Sequence, residues 1–125
     1  MKIIIGGQVD KKEVEALVQK YGPEGVITEI RSDLEAALAL KTGTGDYYLG
    51  ACHTGGGGAL AMAIAILGAS QCETVSMPGR QPTEQKIREA VQAGKKAFGF
   101  TADHKEMAVS MIMRAIQEFQ KGVAG

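Results

Sequence analysis

Cysteine, histidine and threonine follow one another at Cys52-His53-Thr54, and four glycines, Gly55 to Gly58, come directly after them. Thiol, imidazole and hydroxyl groups serve as nucleophile, proton carrier or hydrogen-bond donor. The glycines add main-chain N–H groups with no side chain in the way. If the run is a turn from a strand into a helix, these amides lie at the positive end of the helix dipole, where anions bind. The expected chemistry is a cradle for phosphate or carboxylate made by Thr54, Gly55, Gly56, Gly57 and Gly58. The same dipole would stabilise the Cys52 thiolate as base or nucleophile. A structural role stands beside each functional one. Cys52 could be a small buried residue, His53 a local hydrogen-bonding group, Thr54 the helix cap, and the glycines a means of close packing.

Other reactive residues are few. Asp103-His104 stands at the end of a late apolar run, with Asp103 as a helix cap and His104 as a further catalytic candidate. Arg80, in Pro78-Gly79-Arg80-Gln81-Pro82, is the side-chain anion clamp to expect. Gly6-Gly7-Gln8 ends the first apolar run, so Gly7 and Gln8 would face the Cys52 turn if the two strands are neighbours. No Gly-Lys-Ser/Thr follows the glycines and no dinucleotide fingerprint follows the first strand, which disfavours nucleotides. Two histidines and two cysteines without ligand spacing give no metal site, and no cofactor is expected.

The elements that position these residues alternate along the chain. Lys2-Ile3-Ile4-Ile5 is a continuous β-branched run, the pattern of a central parallel strand. Asp10 and Glu13 form a capping-box pattern ahead of Val14, Leu17, Val18 and Tyr21, and Gly22-Pro23 stops that helix. Gly25 to Ile30 is a second, more polar strand suited to an edge. Ser32 and Glu35 cap a second helix, with Leu34, Ala37 and Leu38 as its inward face. Asp46 to Gly50 is strand three. The third helix, from about Gly57 to Leu67, is apolar all round. Glu73 to Met77 is strand four, and Thr83 opens helix four with Ile87, Ala90 and Val91 inward. Lys96 to Phe100 is strand five. Asp103 and Glu106 repeat the capping pattern before a long last helix.

Strands alternating with helices imply βαβ units, right-handed crossovers and a three-layer α/β/α sandwich around a five-stranded parallel sheet. The expected order is 2-1-3-4-5, a Rossmann-like or flavodoxin-like arrangement whose switch point lies between strands one and three. The 125 residues suit a single domain. Fourteen basic and fourteen acidic residues cancel, so neither nucleic acid nor an anionic membrane is an expected partner. Cys52 and Cys72 fall at opposite ends of their strands and should not pair; the setting expected is the cytoplasm. The apolar third helix is too short to span a bilayer. It and two apolar stripes on the last helix, Ala108, Met111, Ile112, Ala115 and Phe119 beside Val109, Met113 and Ile116, suggest a homo-oligomeric contact.

Cys52-His53-Thr54-Gly55-Gly56-Gly57 resembles the Cys-Gly-Thr-Gly-x-Gly loop of the ribose-5-phosphate isomerase B and galactose-6-phosphate isomerase group. That likeness implies a cysteine base at Cys52 and oxyanion-holding amides at Gly55 to Gly57. His53 stands at a glycine of that motif, and Gly6-Gly7-Gln8 where the group has an Asp-His pair. Over nearly its full length the chain resembles the YhfU-like bacterial family of unknown function, through Asp46 to Gly55, the alanine-rich helix and Ala97-Phe98-Gly99. The implied setting is carbohydrate metabolism. The expectation is a protein that binds a small anionic metabolite, a phosphosugar or sugar acid, at the glycine turn, with isomerase-like use of Cys52 as an extension. The alternative is a non-catalytic regulatory or assembly subunit.

Overall fold

The computed structural model describes residues 1–54 and 56–124. Its strands are β1 (Lys2–Gly7), β2 (Ile27–Ile30), β3 (Tyr47–Cys52), β4 (Cys72–Thr74) and β5 (Ala97–Thr101). Its helices are α1 (Lys11–Tyr21), α2 (Asp33–Lys41), α3 (Gly56–Leu67), α4 (Glu84–Gln92) and α5 (Lys105–Ala124), with 3₁₀ turns at Ala69–Gln71 and Ala102–His104. All strand pairings in the sheet are parallel. Helices α1, α4 and α5 pack together on one face and α2 with α3 on the other, which makes the three-layer α/β/α architecture expected from the alternation.

The strand order is β2-β1-β3-β5-β4, which corrects the expected position of the last two strands. The physical reason is burial. Every residue of Ala97-Phe98-Gly99-Phe100-Thr101 is enclosed, whereas β4 has only three residues and its Glu73 and Thr74 are partly exposed. A strand apolar on both faces belongs between neighbours, and a short polar one belongs at the edge. Strand β5 therefore sits beside β3, with Cys52 opposite Thr101. The switch point between β1 and β3 survives this exchange.

Alternation along the strands sends Ile3, Ile5, Leu49, Phe98 and Phe100 to the α1/α4/α5 face, where Val14, Val18, Ile87, Ile112 and Ile116 meet them. Ile4, Tyr48 and Ala97 face α2 and α3, against Ala36, Ala37, Leu40, Leu60 and Ala63. Both apolar stripes of α5 are used in its own core: Ala108, Val109, Ile112, Met113, Ala115 and Ile116 are buried. A helix packed against a sheet and two neighbouring helices needs that width, so it gives no sign of a partner.

Helix α2 is turned from its expected orientation. Ala36, Ala37 and Leu40 are buried, while Leu34 and Leu38 are 48% and 44% exposed. Asp33 sets the rotation, because its Oδ1 accepts hydrogen bonds from the Gly7 amide at 2.5 Å and the Tyr48 hydroxyl at 2.7 Å. Two of the expected capping patterns are replaced by tertiary bonds. Asp10 makes no cap bond and pairs with Lys105 at 2.9 Å, and Glu106 accepts from the Tyr21 hydroxyl at 2.8 Å. The Ser32–Glu35 capping box is present as expected.

Candidate functional site

The carboxyl ends of β1, β3 and β5 are neighbours, so the loops that carry Gln8, Cys52 to Thr54 and Ala102 to His104 share one edge of the sheet. Strand β3 leads into α3 on one face, and the strands flanking it lead into α1 and α5 on the other. The middle loop thus diverges from both its neighbours, as in switch-point crevices. Across the end of β3 the starts of α1 and α5 are tied by the ion pair between Asp10 and Lys105. That carboxylate beside it holds the Lys105 ammonium above its ordinary range, against the opposing effect of partial burial.

On the β1 side the loop is closed by main-chain and side-chain bonds. Gly7 has a φ of +89° and a Cβ there would lie 2.5 Å from the Ala51 nitrogen, so only glycine fits. Its amide is engaged by Asp33, and the Gln8 amide donates to the Ala51 carbonyl at 2.8 Å. The sequence made Gly7 a ligand contact; its N–H already has a protein partner. Gln8 itself is exposed beside the middle loop, and its side-chain amide reaches the Gly58 carbonyl at 3.3 Å. The predicted approach of the first loop to the glycine run is therefore made by Gln8 and Gly58.

Beneath this loop Tyr48 lies on the α2/α3 face. Gly6 and Gly50 stand opposite each other in register, and a Cβ on either would fall within 2.6 Å of the Tyr48 side chain. The two glycines are the space the ring needs. Its hydroxyl lies 2.7 Å from Asp33 Oδ1 and 2.6 Å from the Ala59 carbonyl, joining β3 to the starts of α2 and α3. Burial, followed by the bond to Asp33, pushes the phenol well above its ordinary pKa.

The middle loop separates its reactive residues. Cys52 is fully buried, on the α3 side of the sheet, and neither it nor Cys72 is in a disulfide. His53 and Thr54 are exposed. Gly55 lies outside the described residues, and Gly56, Gly57 and Gly58 form the first turn of α3, which carries no acidic or basic side chain. An enclosed thiol favours the structural role for Cys52 over nucleophilic attack on a diffusing substrate.

On the β5 side the structure assembles a network that the residue types alone did not announce. Ser76 and Thr101 are buried polar side chains, 0% and 1% exposed. Ser76 Oγ accepts the Thr101 amide at 3.0 Å and lies 3.2 Å from Thr101 Oγ1, which in turn lies 2.7 Å from His104 Nδ1. The His104 side chain is 13% exposed, while Asp103, 67% exposed, has its Oδ1 at 3.6 Å from Nδ1. The Thr101 hydroxyl, and the charge of His104 when present, hold the Asp103 carboxyl below its usual range. The available signal was a serine and a threonine ending two strands at Val75-Ser76 and Phe100-Thr101, polar residues in otherwise apolar runs.

Arg80 is not brought to this crevice. It follows the edge strand β4, beyond β5, donates to the Thr74 carbonyl at 3.4 Å and lines a separate cleft with Glu73, Thr83 and Lys86. Among the described residues no three His, Cys, Asp or Glu side chains gather as metal ligands, and no helix is long and apolar enough to cross a membrane.

Comparison with known proteins gives a consistent result. A family model described as "Protein of unknown function DUF2620" matches residues 1–116. The chain is 34% identical over 116 residues to "Uncharacterized protein YhfU" of Escherichia coli strain K12, covering 93% of this chain and 98% of the relative. The proteins of the same description from Escherichia coli O6:H1 strain CFT073 and Shigella flexneri match to the same extent. These relatives bear out the resemblance read over the whole chain. The likeness of the Cys52 loop to the sugar-phosphate isomerases gains no support from them.

Proposed function

The chain belongs to the DUF2620 family of proteins of unknown function, and we propose that it binds a small anionic metabolite in the crevice at the carboxyl ends of β1, β3 and β5. The observation that carries this reading is the meeting of Gln8, His53, Thr54, the first turn of α3 and His104 on one sheet edge, from three loops distant in sequence. Exposed donors beside an uncharged helix start suit a phosphorylated sugar or a sugar acid, which offers several acceptor oxygens on one small frame. Because Cys52 is enclosed, recognition falls to the exposed groups around it. The proposed setting is the cytoplasm.

A thermal-shift titration tests this reading. Inorganic phosphate, hexose and pentose phosphates and sugar acids are added in turn, and a ligand at ten times its dissociation constant should add about 1.4 kcal/mol of stability. His53→Ala and Gln8→Ala should weaken the effect. A panel that leaves the melting temperature unchanged would reject the site.

A second reading has its own observation. Met62 and Ile64 on α3 and Leu34 and Leu38 on α2 are exposed, and no charged residue occurs from Thr54 to Cys72. Such a face suits association of two copies, as in an assembly subunit. Sedimentation at micromolar concentration separates the readings, since a monomer there leaves only the ligand-binding function.

A further inference from the structure

We propose that the cleft at the free edge of the sheet is a second anion site, in which Arg80 and Lys86 hold the phosphoryl group of a small phosphate monoester. It lies on the far side of β5 from the Cys52 turn and does not rest on the crevice reading above.

The loop after β4 builds the cleft. Pro78-Gly79 is a tight turn in which the Arg80 amide donates to the Met77 carbonyl at 2.9 Å, the Met77 amide returns a bond at 3.1 Å, and Gly79 has a φ of +76°. Proline followed by glycine is what such a turn selects. The turn brings Arg80 back to the end of β4, where its Nη2 donates to the Thr74 carbonyl at 3.4 Å. Pro82 is buried, and Thr83 opens α4, whose Ile87 is anchored in the core. A recess of about 90 Å³ is left between this loop, the end of β4 and the first turn of α4. That holds the head group of a ligand and not a whole drug-sized molecule, whose sites span about 300–1,000 Å³.

Charge decides the kind of head group. The carboxylates closest in sequence to the recess are paired: Glu73 Oε1 with Lys95 at 2.8 Å, and Glu84, in the first turn of α4, with Arg114 of α5. Glu89, one turn further on, borders the neighbouring hollow instead. Arg80 and Lys86 line the recess, are exposed, and have no ion partner among the described residues. Two uncompensated cations beside one recess match a dianion, and a phosphate monoester carries about −1.5 to −2 charges at pH 7. The guanidinium fork also takes phosphoryl oxygens two at a time. Thr83 makes no side-chain cap bond, so the first amides of α4 are left to supplement the two side chains. Glu73 Oε2, outside the Lys95 bond, is an acceptor for a hydroxyl on the esterified group.

The test titrates the whole ¹⁵N-labelled chain with inorganic phosphate and a hexose phosphate, following amide shifts and the heat of binding. The largest shifts are expected at Arg80 and from Thr83 to Ile87. Arg80→Gln should lower the affinity roughly tenfold or more, the loss that follows from removing hydrogen bonds to a charged group. Lys86→Gln should lower it severalfold, whereas Arg88→Gln, which removes a cation of α4 already paired with Glu118, should leave it unchanged. Dimethyl phosphate, a monoanion, should bind more weakly than the monoester. Each substituted position is exposed, and a melting curve checks that the variants fold. An affinity untouched by Arg80→Gln and Lys86→Gln overturns the proposal, as does the absence of shifts at α4 with every probe. Shifts confined to Gln8, His53 and Thr54 also overturn it, while supporting the crevice between β1, β3 and β5. Shifts at the start of α4 that survive His53→Ala and Gln8→Ala support this site whether or not the crevice binds.

Discussion

Two groups of buried hydroxyls flank the end of β3, and they end differently. Tyr48 reaches toward β1 and stops inside the protein, at Asp33 Oδ1 and the Ala59 carbonyl. Ser76 and Thr101, on the β4 and β5 side, lead outward to His104, whose other ring nitrogen has no bond among the described residues. Each network satisfies its buried atoms: no buried side-chain nitrogen or oxygen among the described residues lacks a partner. The first spans three elements and leaves nothing over, which is what a structural clamp requires. The second ends at the ring of His104, which is partly exposed and whose Nε2 has no bond among the described residues. Burial of polar groups alone does not mark a site.

That contrast predicts a descending series of effects. Gly7→Ala should cost most, about 3 kcal/mol in urea unfolding, because a positive φ and a Cβ 2.5 Å from the Ala51 nitrogen must both be relieved. Tyr48→Phe should cost about 2 kcal/mol, since Asp33 and the Ala59 carbonyl lose their shared donor in a buried place. The same residue gives a pH signature. Its folded-state pKa lies above the ordinary 10.0, so beyond that pH the unfolded chain releases a proton that the folded chain retains. Its stabilising contribution is complete below this range and declines with rising pH, by at most about 1.4 kcal/mol per pH unit. Tyr48→Phe should flatten the alkaline limb of a stability-against-pH curve, and an unchanged limb would break the distinction drawn for the clamp.

Smaller effects belong to the outward network. Thr101→Val should cost about 1 kcal/mol, by leaving Ser76 and His104 without their shared hydroxyl. His104→Gln should cost about 1 kcal/mol, because the buried Thr101 hydroxyl loses the ring nitrogen it bonds, while diminishing any anion-induced melting shift. A large loss of stability in His104→Gln would make both networks structural and erase the difference between them.

Much of the layout of this candidate site was legible before the fold was seen. Apolar runs and glycine stops placed Gln8, Cys52 to Gly58 and His104 at the ends of three strands, and parallel strands put those ends on one edge. Other features were not. Gly7 reads as a ligand amide until Asp33, 26 residues later, is found bonded to it. Arg80 reads as a clamp for the Cys52 turn until β5 is found between it and β3. Ser76 and Thr101 are ordinary strand-end residues until a neighbouring strand brings their hydroxyls together.

By itself the sequence determined the alternation of strands and helices, the buried centre of the sheet and the turn that feeds α3, because these follow from residue propensities and local periodicity. Only the tertiary structure decided that β5 enters before β4, that α2 turns its alanines inward and that one histidine is tied at Nδ1. Those outcomes depend on which distant surfaces compete for the same buried space and on which buried hydroxyl needs an acceptor, and neither quantity belongs to any single stretch of chain.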